Sequence, residues 1–316
     1  MDELNPFFSK SMVLLAAIAA ISTIIIGTFL PTLILSGGIV QASGKSPEIV
    51  LASLGVQEAM TLRLEGFTKA IAQKQTDKEK RFTFAVTPEF RGKTLYDVAL
   101  DDSNKAIALT FDDGPWPIYT EQVLDILEQN DIKATFFLIG QHLKHHSAIA
   151  EKVVEAGHAL GNHTWNHHYH NVPREVAAKE IEDTAALIYE VTGFKTEWFR
   201  PPGGVLTNGL NAYALSQNYA VAMWSSDARE SSFSSSGALV NNVLNGAKPG
   251  GIVLLHDGGG NRSATVQALP IIITKLKERG YRFVTLPELL ELYEQHQQST
   301  IAENTPNPTP VADGIE

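Results

Sequence analysis

Two aspartates stand side by side in Thr110-Phe111-Asp112-Asp113-Gly114-Pro115, and farther along the chain comes His163-Thr164-Trp165-Asn166-His167. Adjacent carboxylates can divide labour, one holding a divalent cation while the other moves protons, and histidines four apart can turn their imidazoles to one point. The chain has 0 cysteines, so any metal rests on nitrogen and oxygen ligands. One carboxylate and two imidazoles leave coordination positions open for water and substrate, as hydrolytic chemistry requires and a closed structural site does not.

Three further segments carry reactive groups. Phe199-Arg200-Pro201-Pro202-Gly203-Gly204 follows an obligate cation with two rigid prolines and two glycines, a design suited to aiming backbone N–H groups at a ligand. Trp224-Ser225-Ser226-Asp227, with Glu230 close behind, places an acid past another apolar run. Gly251-Ile252-Val253-Leu254-Leu255-His256-Asp257 ends a wholly apolar strand in a histidine, which marks a candidate for proton transfer. Trp165 and Asn166 read as packing and orienting residues, and His142, His145 and His146 as surface residues of a helix after Ile139.

The elements that must position these groups alternate regularly between Lys105 and His296. Strands are predicted over Ala106 to Phe111, Ala134 to Ile139, His158 to Gly161, Glu197 to Arg200, Ala220 to Trp224, Gly251 to Leu255 and Arg282 to Leu286, with helical patterns between them. Such alternation implies an α/β fold with a parallel sheet. The reactive residues fall at the ends of at least five strands, and closure around an axis lets so many ends converge. The fold expected is therefore an irregular (β/α) barrel with about seven parallel strands.

The 316 residues, 44% of them hydrophobic and 19% charged, suffice for one large core with appendages. A net charge of -10 excludes the basic stripe that a nucleic-acid partner calls for. Residues 1–11 form a short N-terminal segment, and 12–34 read as a transmembrane helix, with a cleaved signal peptide as the alternative. Residues 35–104 are expected to be a linker or stalk, with a helix within Leu51 to Gln75 and short extended pieces over Arg81 to Leu95. The barrel occupies 105–296, and the polar, proline-containing 297–316 is expected to be a disordered tail.

From Lys105 to Leu290 the five ordered motifs resemble the NodB homology domain of the polysaccharide deacetylases, carbohydrate esterase family four. The resemblance implies that Asp113, His163 and His167 hold a divalent metal ion, zinc foremost, with cobalt, manganese or nickel as alternatives. It implies Asp112 as general base, Arg200 as the cation beside it, His256 as general acid, and Asp227 as the acid that orients His256, a part that Glu230 could share or take. Leu254 is implied to line the pocket for the acetyl methyl. Two departures stand out. Gly203 occupies the place where the family usually has an aromatic residue whose backbone N–H helps bind the oxyanion, and Glu230-Ser231 stands where the family often has Asp followed by Trp.

The implied reaction is metal-dependent hydrolysis of the N-acetyl amide of N-acetylglucosamine in a cell-envelope polysaccharide, peptidoglycan favoured. Alternatives are a catalytically silent glycan-binding module, or a deformylase or deacetylase of a lipid-linked sugar. The implied partners are an N-acetylated glycan and, through residues 12–34, the membrane, with no obligate protein partner and no nucleic acid. The catalytic domain is expected outside the cytoplasm on a single-pass anchor, or secreted or periplasmic after cleavage.

Overall fold

The computed structural model describes residues 83–230 and 235–304, together with Thr61, Glu65, Thr68 and Lys69. The chain divides into two compact units, 1–69 and 70–316. In the first, the four described residues are helical, and the Thr68 hydroxyl donates to the Glu65 carbonyl at 3.1 Å. The anchor expected at 12–34 lies outside the described residues, and among those described no helix is long and apolar enough to cross a membrane.

In chain order the second unit contains β1 (Thr83–Phe84), β2 (Thr94–Leu95), β3 (Ala106–Gly114), α1 (Tyr119–Gln129), β4 (Thr135–Leu138), α2 (Gly140–His145), α3 (Ser147–Glu155) and β5 (Ala159–Asn162). There follow α4 (Arg174–Thr192), β6 (Lys195–Thr196), β7 (Trp198–Phe199), α5 (Leu210–Ser216), β8 (Ala220–Ala222), β9 (Ser226–Asp227), α6 (Ser236–Gly246), β10 (Gly251–His256), α7 (Ser263–Glu278), β11 (Arg282–Val284) and α8 (Leu286–Asn304). The main sheet has 9 strands in the order β2-β8-β7-β5-β4-β3-β10-β9, with β11 also on β3, and its ladders are parallel. Long β3 carries β10 along one edge, while β11 takes the start of the other edge and β4 its end.

The α/β class and the parallel sheet agree with the sequence expectation, and all seven predicted strands are present. The sheet is a curled half-barrel: among the described residues no strand pair joins its ends, β2 and β9. Of the two added strands, β2 lies in the short extended pieces expected over Arg81 to Leu95 but belongs to the main sheet, and two-residue β9 gives no alternation to read. Nor is 83–104 a free stalk. β2 pairs with β8, β1 pairs with β6, and Val86, Leu95 and Val98 are buried in the core. The tail is corrected too, since α8 continues to Asn304. Gln297, Gln298, Ala302 and Glu303 favour helix, and prolines enter only at Pro306.

Strand alternation sorts the core into layers. Ile107, Leu109, Phe111, Phe136, Leu138, Leu160, Val253 and Leu255 face a layer shared with α1, α3, α6 and α7. Ala106, Ala108, Phe137, Trp198, Ala220, Ala222 and Ile252 point inside the curl, where Leu289 and Leu290 of α8 close the bottom. On that inner face the small and apolar residues give way toward the C-terminal strand ends to Asp112, His163, Arg200 and His256. The periodicity that packs the core therefore delivers the reactive groups to one rim.

Candidate active site at the C-terminal rim

Strict alternation would send adjacent carboxylates to opposite faces of a strand. The structure avoids this with a register shift between Asp112 and Gly114 and with Asp113 in the left-handed region at φ 73. Asp tolerates that conformation better than most residues. His142, expected at the surface, is half-buried and anchors the bulge: its Nδ1–H donates to the Asp113 carbonyl at 2.7 Å. Gly114 has no room for a side chain, since a Cβ there would lie 2.5 Å from Oδ2 of Asp257. Asp257 is fully buried, accepts from the Thr120 hydroxyl at 2.6 Å, and has its carboxyl pushed up to about 7 by burial.

His163 and His167 converge from the loop that follows β5, with Thr164 at φ 68 and His167 at φ 59. Glu180 of α4, 3% exposed, ties that loop down. Its carboxylate accepts from Trp165 N at 2.9 Å, Asn166 N at 2.7 Å and Asn166 Nδ2 at 2.5 Å. Sequence reasoning missed Glu180, although a signal existed: it falls within the apolar stripe Ala177, Ile181, Thr184 and Ile188, where an unpaired acid would be costly.

His163 Nδ1–H donates to the Arg200 carbonyl at 2.7 Å, which leaves the Nε2 lone pair facing the other candidate ligands. Asp113 Oδ1 lies 3.6 Å from His163 Nε2 and 3.2 Å from His167 Nε2, and the two imidazole Nε2 atoms are 3.2 Å apart. Ligand bonds of about 2.0 to 2.1 Å in a tetrahedral site put donors about 3.3 Å apart, so this triangle has the size a small divalent ion demands. Asp113 Oδ1 is also buried without a hydrogen-bond partner, the state of an atom reserved for a cation. Burial opposes ionisation of Asp113, but the close approach of His167 and the charge of His163 outweigh it and hold the carboxyl far below its ordinary range.

Arg200 is fully buried, and each of its three guanidinium nitrogens is hydrogen-bonded. Nε donates to the Ala222 carbonyl at 2.7 Å, Nη2 to the Met223 carbonyl at 3.1 Å, and Nη1 to Thr110 Oγ1 at 2.8 Å and Asp112 Oδ1 at 2.7 Å. With Oδ1 so occupied, Asp112 turns its other oxygen toward the ligand cluster, 3.7 Å from His163 Nε2. Arg262, unremarked in the sequence, approaches Asp113 Oδ2 at 3.4 Å from the far side.

His256 sits in register with Asp112 on the neighbouring strand, and Leu254 lies two residues below it on the same face, in register with Thr110 and Asp227. Of the two acids that the sequence offered as partners of His256, the structure brings Glu230 to it and not Asp227. Glu230 is hydrogen-bonded to His256 Nδ1, accepts from His256 N at 3.0 Å, and is itself held by the Thr265 hydroxyl at 2.7 Å. Asp227 accepts instead from Arg229 N at 2.7 Å, as an acid in a tight turn does. Burial disfavours a charged His256, but the Glu230 hydrogen bond and charge prevail, with help from Asp112 and Asp113, and push it up to about 9. Gly203 lies in the turn Pro202–Gly204 with φ 59, and a Cβ there would be 2.7 Å from the ring of Tyr169.

Known proteins resemble this chain over the same region. Residues 99–222 match the family described as polysaccharide deacetylase. A peptidoglycan-N-acetylglucosamine deacetylase of Bacillus cereus is 43% identical over 192 residues, covering 60% of this chain and 90% of that protein. Among solved structures, a peptidoglycan N-acetylglucosamine deacetylase bound to 4-naphthalen-1-yl-N-oxidanyl-benzamide superposes with a TM-score of 0.59 at 35% identity, covering 64% of this chain and 94% of that one. A carbohydrate esterase family four pseudoenzyme of Bacillus anthracis gives a TM-score of 0.57 at 30% identity over 65% of this chain and 70% of its own.

Proposed function

Because the chain belongs to the polysaccharide deacetylase family, we propose that it hydrolyses the N-acetyl amide of N-acetylglucosamine in a cell-envelope polysaccharide, with peptidoglycan as the favoured substrate, and that the reaction needs a divalent ion. The observation that carries this reading is the buried triangle of Asp113, His163 and His167 facing the free oxygen of Asp112. Bound there, a divalent ion, zinc foremost, supplies Lewis acidity toward the amide carbonyl and toward water. Asp112 Oδ2 takes the proton of the attacking water while Arg200 fixes the carboxylate. His256, kept cationic by Glu230, gives a proton to the departing amine. Leu254 beneath His256 offers the acetyl methyl an apolar contact, and the backbone N–H of Gly203 serves the developing oxyanion, since Pro202 has none and that of Gly204 donates to the Pro201 carbonyl at 3.0 Å.

A family fold alone does not guarantee turnover, as the pseudoenzyme neighbour illustrates. In this chain both carboxylates, both ligand histidines and the Glu230–His256 pair are in place, which favours catalysis over a silent glycan-binding module. A polymer substrate also argues for a location outside the cytoplasmic membrane, with residues 12–34 as the anchor; fractionation of intact and protease-treated cells tests that placement. The activity is tested by acetate release from peptidoglycan and chitin oligosaccharides with and without a chelator. Release that returns on adding a divalent ion is the expected outcome, and release indifferent to chelation would defeat the metal-dependent reading.

A further inference from the structure

Tyr169 is a large aromatic residue 60% exposed at the rim of the site, two residues past the candidate ligand His167. Its ring meets the His167 ring edge to face, with centroids 4.9 Å apart and planes at 89°. One ring edge rests directly on Gly203, where a Cβ would lie 2.7 Å from Cε1 and 3.0 Å from Cδ1. Gly203 is thus glycine for two reasons that agree: its φ of 59 disfavours a side chain, and the space is already filled by an aromatic ring from another loop. An exposed ring held on two sides and seated against a candidate metal ligand has the form of a contact surface for substrate. The reacting group in the proposed function is borne on a pyranose, whose axial C–H groups form an apolar face that packs on aromatic rings.

We propose that Tyr169 is a substrate-positioning residue: seated on Gly203 and His167, its ring receives the apolar face of the hexosamine and aligns the amide over the site. This rests on the proposed glycan deacetylation. The role differs from that of a strut for His167, because a strut would act through metal binding and a sugar platform through glycan affinity. It also makes Gly203 and Tyr169 one unit, since a side chain at 203 displaces the ring.

The test uses the full-length, zinc-loaded chain and the pentasaccharide of N-acetylglucosamine. Tyr169→Ala should raise KM about tenfold, the scale of one lost aromatic contact, with kcat changed far less and zinc content unchanged, while Tyr169→Phe should keep KM near wild type. Gly203→Ala should raise KM similarly in the Tyr169 background and much less in the Tyr169→Ala background. Calorimetric binding of the pentasaccharide supplies a readout independent of turnover, with weaker binding by Tyr169→Ala than by wild type. Equal binding by the two, loss of zinc from Tyr169→Ala, or no binding by wild type overturns the proposal. Binding that depends on Tyr169 without any acetate release would leave the platform standing and bring down the deacetylase reading alone.

Discussion

At the scale of single residues, the site separates two acids that the sequence left competing for one part. Glu230, and not Asp227, is hydrogen-bonded to His256, so the hydrogen bond and charge that do most to raise this histidine to about 9 are those of Glu230. A proton donor with a raised pKa stays competent up to that value and fails above it. Glu230→Gln removes the charge, so the alkaline limb of the kcat profile should move to lower pH and kcat at neutral pH should fall about tenfold or more, while Asp227→Asn leaves the limb in place. Rates measured across the alkaline range with both variants decide the assignment. A second residue-level prediction concerns the buried ion pair. Asp112→Asn removes the acceptor but none of the three ligand atoms, so turnover should drop by about 10²-fold or more with metal content unchanged. Arg200→Met instead strands Asp112 in the interior, and urea titration should show a loss of about 3 to 5 kcal/mol.

At the scale of elements, the ligand loop depends on a helix that bears no ligand. Glu180→Ala deprives Trp165 N and Asn166 N of their acceptor, and the loop carrying His163 and His167 loses its tie to α4. Metal affinity should fall about 10- to 100-fold, as it does when partners behind the ligands are removed, and metal-competition titration against a chelating dye measures it. Normal affinity in this variant would show that the loop is held by other means. These elements also show what could be read in the chain. The long apolar runs of β3, β4 and β10 were legible because burial on both faces leaves a continuous signature. β9, with two residues, was not, and β2, expected as a short extended piece, was not placed in the main sheet. His142 was misplaced because its role is a backbone contact to Asp113 across 29 positions, which no local pattern encodes.

At the scale of the whole molecule, the rim that would do the chemistry and the opposite end of the sheet make different demands on pH. His158, just before β5, is 2% exposed and packs its ring against Phe136, while its Nδ1 accepts from Ala134 N at 3.1 Å. That hydrogen bond requires a bare Nδ1, so protonation would break it and bury a cation beside Lys133. Burial first, and the Lys133 charge second, lower its pKa from 6.5 to about 4. The fold therefore favours the neutral ring. The stabilising contribution is complete above about pH 6.5, where both states are unprotonated, and declines as pH falls toward 4, because the unfolded chain binds the proton first. The full decline corresponds to about 3 kcal/mol, a large fraction of the net stability of a domain. In His158→Gln, which cannot titrate, that part of the acid sensitivity should vanish. Urea unfolding of metal-free wild type and variant at several pH values isolates it: the stability difference between them should shrink by about 3 kcal/mol from pH 7 to 4 in favour of the variant. A constant difference across that range would mean that His158 titrates alike in the folded and unfolded chain, and the acid sensitivity of the fold would then have to arise from its carboxylates.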